Sequence, residues 1–229
     1  MHYVFSDLHG CYDQYRQMLD KLALTPDDTL YFLGDAMDRG PDGFKILFDM
    51  MERPNIIPIL GNHEDMFYKS ASRYGKQLSA LERAEERRSF RNWTERNGGD
   101  ITWAAFCALP GPARQRALAY VERFRLYEEL TVAGRRFLLA HAGVGDFEEN
   151  KDLSRCTRHD FIWTRMDYDR AYYTDRLLIT GHTPTLFIDP ACRGRIFKRN
   201  NHIVVDCGAV YTGVLGALCL ETLEEYYVS

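Results

Sequence analysis

Short apolar runs alternate with stretches of helical period through the first seventy residues. Strand signals occupy His2 to Ser6, Thr29 to Gly34 and Ile56 to Leu60. Between the first two, Tyr12, Tyr15, Leu19 and Leu22 share one helix face, which stops at the turn cluster Thr25-Pro26-Asp27-Asp28. Between the second and third, Phe44, Leu47, Phe48 and Met51 repeat the pattern. Two β-α-β units are predicted, with parallel strands whose carboxyl ends face one rim. Residues 65–125 read as mainly helical and polar, broken at Asn97-Gly98-Gly99 and Pro110-Gly111-Pro112. This is read as a helical insertion within one α/β domain spanning residues 1–229. The strand signal returns at Arg136 to Ala140, Leu177 to Thr180, Ile203 to Asp206 and Val214 to Leu220.

Composition narrows the class. At 229 residues and 45% hydrophobic content the chain can bury one sizeable core. No run of ~18 apolar residues is present to span a bilayer. The start, Met1-His2-Tyr3-Val4-Phe5, enters a strand with no basic segment before it, so a cytoplasmic protein without membrane partners is expected. Six scattered cysteines suggest neither a disulfide framework nor a thiolate zinc site. The net charge of −4 argues against general nucleic-acid binding. Residues 71–125 nevertheless hold eleven Arg/Lys against six acids, leaving −9 for the remainder. That segment is either a basic wall that draws in phosphorylated substrate or a solvated helix face with i,i+4 pairs from Glu82 and Glu86.

The chemistry lies at strand ends. Asp7-Leu8-His9-Gly10, Gly34-Asp35-Ala36-Met37-Asp38-Arg39-Gly40 and Gly61-Asn62-His63-Glu64 follow the first three strands, and Ala140-His141-Ala142-Gly143 and Thr180-Gly181-His182-Thr183-Pro184 follow two later ones. One such motif could be a turn former or a helix cap. Five together place His, Asp and Asn beside Gly at the rim where open α/β sheets bind ligands. Four of the seven histidines fall in these motifs, and His2, His159 and His202 are given no role.

The ordered set D-x-H-G, G-D-x-x-D-R-G, G-N-H-E, H-A-G and G-H-T-P resembles the calcineurin-like metallophosphoesterases, specifically the serine/threonine protein phosphatase branch with its bacterial and bacteriophage members. The likeness runs from residue 3 to Asp206-Cys207-Gly208-Ala209-Val210-Tyr211, and Ile162-Trp163-Thr164-Arg165 and Asn97-Gly98-Gly99 look like phage-type segments. It implies a central β-sandwich of two mixed sheets flanked by helices. It also implies two divalent ions, the first held by Asp7, His9 and Asp35, the second by Asp35, Asn62, His141 and His182. Mixed carboxylate, amide and imidazole donors suit Mn²⁺ first, with Fe or Zn²⁺ as alternatives. Two ions carry four positive charges, of which Asp7, Asp35 and a shared hydroxide remove three. By the same resemblance that hydroxide attacks a phosphate monoester directly, Arg39, Arg165 and Asn62 bind the phosphate, and His63 is the general acid oriented by Asp38. Glu64 is read as a carboxylate starting the next helix.

Two positions depart from the protein phosphatase pattern: Ser6 stands where Gly usually precedes the first Asp, and Leu60 where many have Arg. The principal expectation is a protein phosphatase acting on a phosphorylated protein. The alternative is a diadenosine polyphosphate hydrolase or another enzyme of small phosphate esters, against which Asp38 and Glu64 are weighed. A third reading is a non-catalytic scaffold, which the intact ligand set disfavours.

Overall fold

The computed structural model describes residues 1–148 and 152–229. Among them lie strands β1 (His2–Phe5), β2 (Thr29–Phe32), β3 (Ile56–Pro58), β4 (Tyr127–Val132), β5 (Arg135–Ala140), β6 (Leu177–Thr180), β7 (Phe197–Arg199), β8 (His202–Val204), β9 (Leu215–Cys219) and β10 (Glu225–Val228). The helices are α1 (Tyr12–Leu22), α2 (Gly43–Met51), α3 (Asn62–Ala71), α4 (Ala80–Arg91), α5 (Asp100–Ala108), α6 (Gly111–Val121), α7 (Arg158–Ile162), α8 (Thr185–Ile188) and α9 (Ala209–Thr212). A π-helical turn at Asn92–Arg96 continues α4.

The strands form two five-stranded mixed sheets, in the orders β10-β9-β1-β2-β3 and β4-β5-β6-β8-β7. In the first, β1, β2 and β3 are parallel, as the β-α-β reading requires. In the second, β5, β6 and β8 are parallel, with β4 and β7 running against them at the edges.

Period-2 alternation builds the layers. In β1, Val4 turns toward the second sheet, and with Leu33, Ile59, Phe137, Leu139, Ile179 and Leu218 it fills the space between the sheets. Tyr3 and Phe5 face the other way, against Tyr15, Leu19 and Leu22 of α1. In β5, Leu138 and Ala140 turn outward against Phe67 of α3, Phe106 of α5 and Trp93. Strands buried on both faces explain why the sequence shows them as continuous apolar runs. The region 65–125 is helical as expected, with breaks after the π turn and between α5 and α6. No helix among the described residues is long and apolar enough to cross a membrane.

Candidate active site

Both sheets deliver polar residues to one place. Asp7 and His9 follow β1, Asp35 and Asp38 follow β2, and Asn62 and His63 open α3 after β3. His141 follows β5 and His182 follows β6, bringing in the second sheet. Asp7, His9, Asp35, Asp38, Arg39 and His182 all adopt positive φ. Half of the non-glycine residues with this backbone among the described residues are therefore gathered at one site, a concentration of strain that packing must sustain. Glycine permits the crowding: a Cβ on Gly61 would strike Asp35, and one on Gly181 would strike Asp7.

Asp35 sits at the centre. Its Oδ2 lies 3.7 Å from His9 Nε2, 3.8 Å from His63 Nε2 and 3.5 Å from His141 Nε2. Donor atoms of Asp35, His9 and His63, and again of Asp35, His141 and His182, lie within 4.8 Å of one another. The first cluster includes His63, read from sequence as the general acid, in the place where Asp7 was expected as a ligand. Asp7 Oδ1 is 4.0 Å from His9 Nε2, while its Oδ2 accepts from the His182 backbone N–H at 3.0 Å.

The tautomers follow from carbonyl partners, which can only accept. His9 Nδ1 donates to Met37 O at 3.0 Å and His141 Nδ1 donates to Leu33 O at 2.6 Å, leaving each Nε2 as a lone pair aimed into the site. His141 Nε2 then faces Asn62 Oδ1 at 2.8 Å, lone pair against lone pair. Asn62 Oδ1 also lies 3.0 Å from His182 Nδ1. A cation beside these atoms would remove the mismatch. The charges ask for the same remedy. Burial, then Asp7, pushes Asp35 well above the usual carboxylate range, and burial raises Asp7. Burial, then His63, holds His9 well below its ordinary value, and burial pushes His182 down to about 2. Buried carboxylates and neutral imidazoles with donor atoms about 3.5–4 Å apart fit divalent ions at bond lengths of ~2.0–2.2 Å.

The two residues expected to form an acid pair lie together: His63 Nδ1 is 2.6 Å from Asp38 Oδ2, both fully buried. Two of its supports were not legible in advance. Trp93 Nε1 donates to the same Asp38 oxygen at 2.6 Å, and Thr102 Oγ1 accepts from the Asp38 N–H at 3.0 Å. Burial pushes Asp38 up to about 7 against the opposing hydrogen bonds of Thr102 and Trp93. Glu64 does start α3, but its carboxylate reaches back to accept from the Asp35 and Ala36 N–H groups at 2.7 and 2.8 Å, pinning the Asp35 loop. Asp206 lies just past β8, buried and raised by burial and by Asp7. It follows the same strand-end rule as the five motifs, which could have found it.

Arg39 spans the mouth: Nη1 contacts His9 Nε2 and Nη2 lies 3.2 Å from His63 Nε2. Its N–H donates to Gly98 O at 3.0 Å, which gives Asn97-Gly98-Gly99 a place beside the site. Arg165 is exposed at the rim, 3.5 Å from Thr183 Oγ1, and touches none of the metal-type residues. In the basic segment Arg116 pairs with Glu52 and Arg125 with Glu128. Among the described residues Arg83, Arg87, Arg88, Arg91 and Arg96 form no ion pair, and Glu82 caps α4 at Ser79 instead of pairing with them. Arg87, Arg88, Arg91 and Arg96, with Glu95 among them, line a hollow of about 770 Å³ along α4 and the π turn that carries Trp93.

A phosphoesterase fold with this rim belongs to a recognisable class. The family model for calcineurin-like phosphoesterases matches residues 3–209, and the chain belongs to that family. It is a metal-dependent phosphoric ester hydrolase. A bis(5'-nucleosyl)-tetraphosphatase of the asymmetrical type from Geobacillus sp. (strain WCH70) is 26% identical over 249 residues, covering 96% of this chain and 91% of that one. A solved structure provisionally identified as a diadenosine tetraphosphatase superposes with a TM-score of 0.68 at 16% identity, over 99% of this chain and 92% of the other. A protein serine/threonine phosphatase from Saccharomyces cerevisiae has a TM-score of 0.54 at 14% identity, over 94% and 71%. The two structural likenesses establish the fold alone.

Proposed function

We propose that the chain is a dinuclear metal-dependent hydrolase of dinucleoside polyphosphates. The observation that carries this reading is the relation to the asymmetrical tetraphosphatase over nine-tenths of both chains, helical region included. The protein phosphatase reading came from the ordered motif set, with Asp38 and Glu64 weighed against the dinucleotide hydrolases. Glu64 is fully buried on backbone amides, so its identity bears on the scaffold and not on the substrate.

In this reading Asp7, His9 and Asp35 hold one divalent ion, and Asp35, Asn62, His141 and His182 hold the other, with Mn²⁺ suited to the donor set. Bound there, the ions would acidify water and screen the phosphoryl oxygens. Arg39, anchored through its backbone to Gly98, presents two N–H donors to one phosphate in the planar geometry that guanidinium allows. Arg165 adds a cation at the rim, and Asn62 can turn its amide N–H₂ toward the phosphate. His63, in its doubly protonated form, would give the Nε2 proton to the leaving oxygen while Asp38 accepts from Nδ1–H.

The test is hydrolysis of diadenosine tetraphosphate, a phosphoserine peptide and p-nitrophenyl phosphate by chelator-stripped and Mn²⁺-reloaded protein, with His63→Asn as control. Preference for the dinucleotide that needs both metal and His63 supports the proposal. Preference for the peptide would return the protein to the phosphatase reading.

A further inference from the structure

Phe187 and Tyr211 are two of five large apolar side chains left exposed among the described residues, at 66% and 50%, and their rings are in contact. Their ring centroids are 6.2 Å apart and steeply tilted. Tyr211 also lies beneath Arg39, whose guanidinium carbon is 5.5 Å from the ring centroid. The aromatic pair therefore begins where the contacts of Arg39 with His9 and His63 end.

The backbone holds both rings outward. Phe187 rides on α8, the turn that follows His182 and Pro184, and Tyr211 rides on α9, which starts after Gly208 at φ 72. The two turns are tied together by the Thr185 N–H donating to Asp206 O at 2.9 Å, and Thr212 Oγ1 donates to Cys207 O at 2.9 Å. Two rigid turns thus display rings to water at the edge of a cationic site, where burial elsewhere would have been favourable.

We propose that Phe187 and Tyr211 form a stacking platform for one nucleobase of the substrate, an inference that rests on the dinucleotide reading above. Arg39 takes a phosphate while its cation rests on the Tyr211 face, and the base of the adjoining nucleotide lies against Phe187. Flat rings suit any base, since every base offers a π-face. The platform therefore selects a nucleotide over a base-free phosphate without selecting among bases.

The experiment compares diadenosine tetraphosphate with inorganic tripolyphosphate on Mn²⁺-loaded wild-type, Phe187→Ala, Phe187→Trp and Tyr211→Ala proteins. In Phe187→Ala the KM for the dinucleotide should rise about 10-fold with little change in kcat, a loss suited to one stacked base. The KM for tripolyphosphate should not follow it, and Phe187→Trp should restore the wild-type ratio. Tyr211→Ala should shift the same ratio in the same direction. An active wild type whose KM for the dinucleotide is unmoved in Phe187→Ala, or moved equally on both substrates, overturns the platform and leaves the dinucleotide reading standing. A wild type that cleaves tripolyphosphate or the phosphopeptide but not the dinucleotide overturns both.

Discussion

Replacing Trp93 by Phe tests whether the acid pair depends on a residue fifty-five positions away in sequence. Asp38 Oδ2 receives two N–H groups at 2.6 Å, one from His63 and one from Trp93, while its Oδ1 has no partner among the described residues. Losing a hydrogen bond to a buried carboxylate costs about 1.5–3 kcal/mol. The smaller ring also leaves space among Phe67, Phe90 and Trp103, which pack against the indole. A total near 2–4 kcal/mol corresponds to a fall in Tm of about 5–15 °C for a chain of this size. Calorimetry on the metal-loaded protein reads that part. The catalytic part has its own sign. The Trp93 hydrogen bond holds Asp38 down from an already raised position of about 7, so its removal lets the pKa climb further. Asp38 then remains protonated to higher pH, and the acid limb of the kcat profile should move upward as kcat falls about tenfold. A Trp93→Phe protein with reduced Tm but an unmoved profile would show that the indole only packs, and would refute the reasoning.

Other perturbations probe separate links. Gly181→Ala should push the Asp7 carboxylate aside, lowering metal content measured by atomic emission and cutting turnover by about 100-fold, while the far-ultraviolet circular dichroism stays native. Asp35→Asn relieves a carboxylate disfavoured by burial and by Asp7, so the metal-free protein should be at least as stable as metal-free wild type. The same variant should lose the gain in stability of about 2.7 kcal/mol per site that free Mn²⁺ at 100 times its Kd gives the wild type. At the opposite end of β1, burial raises Glu221, but hydrogen bonds from the His2 backbone and ring overcome it and bring it from 4.5 down to about 2. A depressed folded-state value gives stability that is present above pH 4.5 and is lost as the pH falls toward 2. Glu221→Gln should accordingly unfold about 1–2 kcal/mol more easily at neutral pH, with the gap closing below pH 4.5 in denaturant titrations.

The pattern of the sequence revealed the strands made of apolar runs and concealed others that carry charged residues. Seven strand signals match β1, β2, β3, β5, β6, β8 and β9. The three that went unread, β4, β7 and β10, are all outer strands, carrying Glu128 and Glu129, Lys198 and Arg199, and Glu225 on partly solvated faces. The polar rim was legible for a related reason, since each of its residues ends an apolar run. Trp93 and Thr102 were not, because their role is a contact across the fold and either residue alone reads as ordinary packing. Glu64, weighed from sequence as a signature of one branch, spends its carboxylate on the amides of Asp35 and Ala36.

The division of the rim between two sheets has a mechanical consequence. Asp7, His9, Asp35 and Asn62 hang from one sheet, His141 and His182 from the other, and between them lies an apolar interior that no disulfide among the described residues crosses. In the proposed site the second ion is gripped from both sides, so it acts as a rivet through the sandwich. Emptying it would let the leaves part at that rim, and amide exchange at the ends of β2 and β5 should quicken together.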